Sequence, residues 1–233
     1  MSEFMEFRKI PRLNRDVVIS EKIDGTNAQV LIRAFGDGET TTAQPVATVN
    51  EHRLWAGSRN RWVTPDKDHY GFARWVADNA AELVSLFGPG RVFGEWWGAG
   101  VQRKYGLTAK RFSLFNVGNY GEVTEHRDTR CFTAAGHQVD RAGVVRCACR
   151  TARPALNATV GGVLIEPVPV LYRGPWFQER QWAPDAALDK LRREGSVAAP
   201  GFMQPEGIVV FHEASGQLFK ATLSGDEKPK GVN

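Results

Sequence analysis

The feature that most constrains this chain is a short polar segment that contains a lysine and lies between two β-rich segments. The sequences Asp16–Ser20 and Ala28–Ile32 are rich in β-branched and apolar residues and predict two strands. The residues between them include Lys22 and the pair Asp24-Gly25. Asp-Gly is a common signal for a hairpin turn, so the local pattern alone favours an ordinary hairpin with a solvated lysine. A reactive lysine at the end of the first strand is the alternative.

The rest of the chain has the pattern of a strand-rich fold with few helices. Residues 71–87 place apolar side chains at helical spacing and predict the clearest helix. Residues 184–194 predict a second helix, with Asp185 in its first turn and Gly195 at its end. Further strands are predicted at 43–49, from 91 onward, at 112–117, and as an antiparallel hairpin at 206–211 and 217–223. This order favours an α+β fold with antiparallel sheets, and residues 1–233 are predicted to form one domain with a polar tail at 224–233.

Composition limits the partners and the compartment. The formal net charge of +4 permits a nucleic-acid partner without requiring one. The chain has no apolar run of membrane-spanning length and no signal-peptide character at its start, so no membrane partner is expected. Three cysteines, Cys131, Cys147 and Cys149, argue for a reducing compartment, and a cytoplasmic location is predicted. Their spacing favours free thiols over a zinc site completed by His137.

Five further segments follow the lysine in an informative order. The full set is Lys22-Ile23-Asp24-Gly25, Ser58-Arg59, Phe93-Gly94-Glu95, Phe112 to Val117, Glu206-Gly207-Ile208-Val209 and Leu218-Phe219-Lys220. In this order the segments resemble the motifs of the covalent nucleotidyltransferase superfamily, whose first motif is KxDG. The flanking Glu21, Thr26 and Asn27 are similar to the form found in ATP-dependent RNA ligases of the phage T4 RNA ligase 2 type. A lone KxDG would be weak evidence, but six ordered elements are strong evidence.

The resemblance implies a nucleotidyltransferase fold, the ATP-grasp-like catalytic domain of ligases, without an OB-fold. It implies an ATP-dependent RNA ligase that adenylates its own lysine, transfers AMP to a 5′-phosphate RNA end and seals that end to a 3′-hydroxyl, as in RNA repair. ATP is the implied co-substrate, and Mg²⁺, or Mn²⁺ in its place, is the implied metal. RNA ends in a nicked duplex are the implied partners. Only 13 residues follow Lys220, so the usual C-terminal domain is expected to be absent. A monomer is expected, and whether a partner protein replaces that domain is left open by the sequence.

The resemblance also implies roles for single residues. They are Lys22 as the nucleophile, Glu21 holding the adenine through its backbone, Asn27 beside the nucleotide and in the later steps with the RNA end, Arg59 on phosphate or ribose, Glu95 on ribose or metal, Phe112 or Phe115 stacked on adenine, Glu206 on the metal and Lys220 on the α-phosphate. The first step of such a reaction needs a neutral lysine amine. With an ordinary pKa near 10.4, a lysine amine is neutral in only about 4 of 10,000 molecules at pH 7, so its neighbours must activate it. Cations nearby, such as Lys220 and Arg59, are expected to assist its activation.

Two departures leave alternatives open. Asp24 gives the first motif the form shared with DNA ligases and capping enzymes, where the phage T4 RNA ligase 2 type commonly has histidine. The last motif usually carries two lysines in a KxK pattern, whereas Leu218 and Thr222 stand two residues either side of Lys220. The alternatives are a DNA ligase, a GTP-using capping enzyme, and a module that binds nucleotide or RNA without joining ends. The residues expected to offer a basic surface to an RNA end are Arg59, Arg61, Arg103, Lys104 and Arg111.

Overall fold

The chain divides into two compact units, which are described separately. Unit 1 comprises Met1–Thr26, Trp97–Lys110 and Val168–Asn233, and unit 2 comprises Asn27–Trp96 and Arg111–Pro167. The computed structural model describes residues 5–7, 9–37, 41–68, 70–121, 138–139, 145–146, 155–178 and 181–224. Cys131, His137, Cys147 and Cys149 lie outside the described residues, as does all of the predicted tail except Ser224.

The elements follow one another in an order dominated by strands. The strands are β1 (Asp16–Lys22), β2 (Thr26–Ala34), β3 (Ala47–Val49), β4 (His52–Gly57), β5 (Trp62–Val63), β6 (Gly90–Gly98), β7 (Lys110–Leu114), β8 (Gln138–Val139), β9 (Val145–Arg146), β10 (Ala158–Val160), β11 (Val163–Pro167), β12 (Val170–Pro175), β13 (Phe177–Gln178), β14 (Gln181–Trp182), β15 (Gly207–His212) and β16 (Gln217–Thr222). The helices are a 3₁₀ turn at Pro65–Lys67, α1 (Phe72–Asp78), α2 (Ala80–Phe87), α3 (Val117–Tyr120) and α4 (Ala183–Glu194). None of the described helices is long and apolar enough to cross a membrane.

Unit 1 is built on an antiparallel sheet with strand order β12-β1-β15-β16. Alternate residues of β1, Val17 and Ile19, pack with Ile208 of β15 against the apolar side of α4, including Leu191. Because side chains alternate along a strand, Lys22 belongs to the other face of β1. The β15–β16 pair confirms the predicted C-terminal hairpin.

The predicted second helix is confirmed as α4. Pro184 lies in its first turn, where the missing N–H costs no intrahelical hydrogen bond, and Asp185 is the acidic residue there. Gly195 ends the helix with φ of 79°, and its N–H donates to the Leu191 carbonyl. A residue without a Cβ adopts that conformation most easily, so the end of α4 was readable from the sequence.

Unit 2 is built on a sheet with strand order β10-β11-β7-β6-β2-β4-β3, in which β5 also pairs with β4. The β7–β11 pair is parallel, so the expectation of purely antiparallel sheets is wrong at this point. The described part of the chain is nevertheless rich in strands and has few helices, as the α+β prediction requires. An aromatic cluster of Phe72, Trp75, Trp96 and Phe112 lies in its core, with ring centroids 5.2 to 5.8 Å apart.

The helix predicted at 71–87 is observed as two helices, α1 and α2, that meet at Asn79. The Asn79 side chain donates to the Trp75 carbonyl at 2.7 Å, and its backbone has φ of −116°. Asparagine often competes in this way with the hydrogen bonds of a helix. The apolar periodicity continues through the break, so the pattern alone could not show it.

The segment between the first two strands does not close a hairpin. Strand β1 pairs with β12 and β15, whereas β2 pairs with β4 in the other sheet. The hairpin interpretation of Asp24-Gly25 is therefore wrong. Because each strand finds its partners far along the sequence, a local turn signal could not decide the pairing.

Candidate functional site

Lys22 lies at the last position of β1, directly beside a carboxylate from the C-terminal hairpin. The antiparallel register sets Lys22 opposite Gly207, the first residue of β15. Glu206 precedes that glycine, and its Oε2 accepts a hydrogen bond from Lys22 Nζ at 2.5 Å. The two side chains are 24% and 12% exposed, so the pair is partly shielded from water but still open. Two residues separated by 184 positions in the sequence thus form one ion pair.

The residue opposite Lys22, Gly207, must be a glycine because a side chain would not fit there. A Cβ added at Gly207 would lie 2.1 Å from the backbone oxygen of Ala221 on β16. Such a contact is too short for any side chain, so only glycine lets β15 and β16 pair closely here. Gly207 therefore permits the close pairing of β15 with β16 directly after Glu206.

Lys220 occupies the same face of the sheet as Lys22. The pairing aligns Lys220 with Val209, and Val209 with Ser20, two residues before Lys22. Two strand spacings of about 4.8 Å and a two-residue offset of about 6.8 Å place the Cα atoms of the two lysines about 12 Å apart. Lys220 is exposed, and no carboxylate of the described chain pairs with it. Two long side chains at this separation can contact one anion lying over the sheet.

Glu21 lies on the opposite, buried face of β1 and is 1% exposed. Its Oε1 accepts a hydrogen bond from Ser196 Oγ at 2.5 Å, and its Oε2 accepts from the N–H groups of Val197 and Ala198 at 2.8 and 2.9 Å. Burial raises the pKa of Glu21 above its ordinary value, and these hydrogen bonds partly counteract the rise. The side chain therefore anchors the loop after α4. The earlier expectation for Glu21 concerned its backbone, whose N–H donates to the Pro169 carbonyl.

The Asp24 backbone is held by a tyrosine that sequence reasoning missed. The N–H of Asp24 donates to Tyr105 Oη at 2.8 Å. Tyr105 is 2% exposed, and its ring packs against Trp97 and Phe202 with centroids 4.9 and 4.6 Å away. Burial raises the pKa of Tyr105, and the nearby carboxylates add to the rise, so its hydroxyl stays neutral. The sequence signal was weak: one aromatic residue within a basic loop.

Two arginines expected on a basic surface are instead paired with carboxylates. Arg103 donates from Nε to Asp24 Oδ2 at 2.7 Å and from Nη1 to the Gln204 carbonyl at 2.9 Å. Arg111 donates to Glu166 at 3.3 Å, and burial raises the pKa of that glutamate. Arg103 therefore braces the KxDG segment, and Arg111 is internally neutralised. Their charge is not freely available to an RNA end.

Unit 2 contains a cavity of about 190 Å³ at the start of β2. Its lining residues are Asn27, Ala28, Gln29, Ser58, Arg59, Phe93 and Phe115. Phe115 is 43% exposed, whereas Phe112 is fully buried in the aromatic cluster. Of the two phenylalanines named from the sequence, Phe115 is the one open to a ligand. Arg59 is exposed and has no carboxylate partner within the described ranges.

Glu95 contributes a buried carboxylate to unit 2. It is 7% exposed, and its Oε2 accepts a hydrogen bond from Asn27 Nδ2 at 3.0 Å. The preceding Gly94 is required by packing, since a Cβ there would lie 2.5 Å from the Ser113 carbonyl oxygen and 2.6 Å from the Phe112 ring. Glu95 thus orients Asn27, which lines the cavity.

A sequence-family model described as RNA ligase matches residues 15–222. The chain belongs to the RNA ligase family. Among solved structures, it is similar to the apo form of a lysine-to-alanine mutant of RNA ligase R4a from Naegleria gruberi, with 14% identity and a TM-score of 0.43. That match covers 89% of this chain and 49% of the other, so this chain spans about half the length of the solved relative. No curated protein matches the chain in sequence.

Among the described residues, the candidates for a metal ligand are single carboxylates rather than a cluster. No group of three or more His, Cys, Asp and Glu side chains among the described residues could hold a metal ion. Magnesium commonly uses one or two carboxylates together with waters and substrate phosphates, so Glu206 on the open face of unit 1 fits that ion. Glu95, the second carboxylate named from the sequence, is buried in unit 2 and bonded to Asn27.

The residues predicted from the sequence fall into three sets. On the open face of the unit 1 sheet lie Lys22, Glu206 and Lys220. At the unit 2 cavity lie Asn27, Arg59 and Phe115, with Glu95 behind Asn27. Buried with structural contacts are the side chains of Glu21 and Phe112.

Proposed function

We propose that this chain is an ATP-dependent RNA ligase that acts through a covalent AMP adduct on Lys22. Membership of the RNA ligase family over residues 15–222 supports the reaction class. The observation that carries the finer proposal is the Lys22–Glu206 contact of 2.5 Å, within a KxDG segment braced on both sides. The proposed architecture is the ATP-grasp-like nucleotidyltransferase domain of covalent ligases.

The proposed reaction has three steps. First, Lys22 Nζ forms a bond to the α-phosphorus of ATP, the bond to pyrophosphate breaks, and the amine loses a proton. Second, an oxygen of the RNA 5′-phosphate attacks the same phosphorus, the bond to Lys22 breaks, and the departing nitrogen takes up a proton. Third, a 3′-hydroxyl attacks the 5′-phosphate, and AMP leaves. A carboxylate hydrogen-bonded to the amine is positioned to accept the proton in the first step, and Glu206 is that group.

Glu206 is also the proposed ligand for a divalent cation. Mg²⁺, or Mn²⁺ in its place, supplies positive charge that offsets the triphosphate when it is bound. Because Glu206 Oε2 accepts from Lys22, the oxygen offered to an ion is Oε1, which makes no hydrogen bond to any described residue. Lys220, on the same sheet face, is proposed to bind the α-phosphate.

Unit 2, taken by itself, is proposed to bind an adenosine group at its cavity. Phe115 rather than Phe112 is the proposed stacking partner of adenine, because only its ring borders the cavity. Arg59 is proposed to bind phosphate or ribose, and Asn27 with Glu95 the ribose. RNA ends carrying a 5′-phosphate are the proposed substrate, and a monomer the proposed state.

Transfer of label from α-labelled ATP tests the first step. Wild-type protein with Mg²⁺ should become labelled, and Lys22→Ala should not. Lys190→Ala, a lysine substitution on α4 of the same unit, is the matched control and should label normally. Glu206→Gln keeps the side-chain shape but removes the proton acceptor, so labelling should slow by about 10²- to 10⁴-fold. The proposal would be refuted if wild-type protein carried no label, or if Lys22→Ala were labelled as strongly as wild type.

Nick-sealing assays separate the rival functions. A capping enzyme would label from GTP in preference to ATP, and a DNA ligase would seal DNA nicks in preference to RNA. The single lysine of the last motif favours a second candidate, a module that binds RNA without joining ends. That candidate predicts RNA binding with no sealing under Mg²⁺ or Mn²⁺.

A further inference from the structure

An arginine beside the unit 2 cavity has a geometry that the proposed adenylation chemistry does not use. Arg91 is exposed on β6, and its guanidinium lies over the rings of Trp62 and Phe93, at 5.3 and 5.9 Å from their centroids. Phe93 lines the cavity and is 49% exposed. A cation and two aromatic rings are thus stacked at the border of the cavity.

The position of Arg91 is fixed by a second set of contacts. Its Nη1 donates to Gln29 Oε1 at 2.5 Å, and Gln29 Nε2 donates to the Ser58 carbonyl at 3.2 Å. The Gln29 side chain fills the space beside Gly57, where an added Cβ would lie 2.7 Å from it. Arg91 is therefore coupled through one glutamine to the turn that carries Arg59.

The charge of Arg91 is not neutralised within the part of the chain that the structure describes. Its contacts there are Gln29 and the two rings, and none of them is a carboxylate. A guanidinium has five N–H donors, and one of them is used here. The free donors suit a phosphate, which arginine binds with two parallel hydrogen bonds.

We infer that Arg91, Trp62 and Phe93 form a docking position for an unpaired RNA strand, in which Arg91 binds a backbone phosphate and Phe93 stacks on a base. Proteins that hold single strands combine cationic side chains with exposed aromatic rings in this way. A paired duplex keeps its base faces covered, so it offers the phosphate but not the stacking surface. The inference rests on the proposed function and narrows its substrate to ends with an unpaired strand.

Fluorescence anisotropy with a short, labelled, 5′-phosphorylated single-stranded RNA tests the inference without ATP. Arg91→Ala should weaken binding about tenfold or more, because it removes charge-assisted hydrogen bonds to a phosphate. It should also lower the slope of log K against log salt by about 0.7, the value for one phosphate on a single strand. Arg91→Lys should keep the salt slope and lose several-fold in affinity. Phe93→Leu should also keep the salt slope and lose several-fold in affinity, because neither Arg91→Lys nor Phe93→Leu alters the charge.

Arg53 supplies the matched control, because its guanidinium lies over the Phe35 ring at 5.2 Å in the same unit, and Arg53 does not line the cavity. Arg53→Ala should bind within twofold of wild type. Equal loss in Arg53→Ala and Arg91→Ala, or an unchanged salt slope in Arg91→Ala, would overturn the inference. An equal effect of Phe93→Leu on a fully paired RNA duplex would overturn the stacking role. Because binding is measured without ATP, an absence of lysyl-AMP in wild type refutes only the proposed function.

Discussion

The buried carboxylate of Glu21 allows a quantitative test of how strand β1, which carries Lys22, is held. Replacing Glu21 with alanine removes the acceptor for the N–H groups of Val197 and Ala198 and for the Ser196 hydroxyl. Replacing it with glutamine keeps the size and one oxygen. The amide oxygen can accept from both N–H groups, and the amide nitrogen can donate to a rotated Ser196 hydroxyl.

The expected losses of unfolding free energy follow from how deeply the hydrogen-bond partners of Glu21 are buried. An unsatisfied buried N–H costs about 1–3 kcal/mol. Ala198 N lies in buried surroundings, whereas Val197 N is only partly buried, so water can replace one contact in Glu21→Ala and not the other. We expect Glu21→Ala to lose about 2–4 kcal/mol of unfolding free energy, and Glu21→Gln less than about 1 kcal/mol. At about 2–4 °C per kcal/mol for a chain of this size, Glu21→Ala should unfold roughly 5–15 °C lower.

Because of Glu21, the stability of the folded protein should fall as the pH rises. Since burial raises the pKa of Glu21, the folded protein keeps this proton at a pH where the unfolded chain has lost it. The folded state then binds more protons than the unfolded state, so stability falls as pH rises from about 4.5, the ordinary value, through the raised native pKa. Glu21→Gln cannot titrate and should lose this component of the pH dependence.

Urea unfolding followed by circular dichroism between pH 4 and pH 8 measures both effects. Glu194→Gln, which changes an exposed carboxylate at the end of α4, is the control and should follow the wild-type profile. A loss of less than about 1 kcal/mol in Glu21→Ala would refute the anchoring role of this carboxylate. A Glu21→Gln profile that runs parallel to wild type over the whole range would refute its titration.

Four further substitutions test the packing around the site and the cavity of unit 2. Tyr105→Phe removes the acceptor for the Asp24 N–H and should cost about 1–2 kcal/mol in urea unfolding, with slower labelling from ATP; unchanged stability would contradict the contact. Gly207→Ala forces a Cβ to within 2.1 Å of a β16 carbonyl oxygen and should lose about 2–4 kcal/mol or fail to fold. Phe112→Ala should cost about 3–5 kcal/mol, whereas Phe115→Ala should leave the unfolding midpoint nearly unchanged and weaken ATP binding measured by calorimetry.

The elements that the sequence predicted well are those fixed by local chemistry. Helix α4 was readable from Pro184, Asp185 and Gly195, because each acts on the backbone within one turn. The break between α1 and α2 was not readable, since Asn79 is compatible with either a continuous helix or a side-chain bond to Trp75. The parallel β7–β11 pair also escaped prediction, because its strands are joined through a long segment with no regular pattern.

In the candidate site too, some residues could be predicted from the sequence and others could not. The resemblance to ligase motifs named Lys22 and Glu206, and the antiparallel register brings them together. Tyr105 and the loop that receives Glu21 were missed, because they lie 81 and at least 175 residues from their partners. No local pattern encodes such a pairing, and only the assembled sheet and its loops reveal it.

The KxDG segment combines a firmly held backbone with a partly exposed lysine side chain. Strand alternation sends Glu21 into the core and Lys22 to the open face, so neighbouring residues have opposite tasks. Glu21 and Asp24 fix the backbone on either side of Lys22 through three and two hydrogen bonds. The Lys22 side chain itself is held by one carboxylate and remains 24% exposed. Under the proposed function, Lys22 bonds to AMP and then releases it. This combination suits that role, because the backbone holds its position while the side chain changes partners.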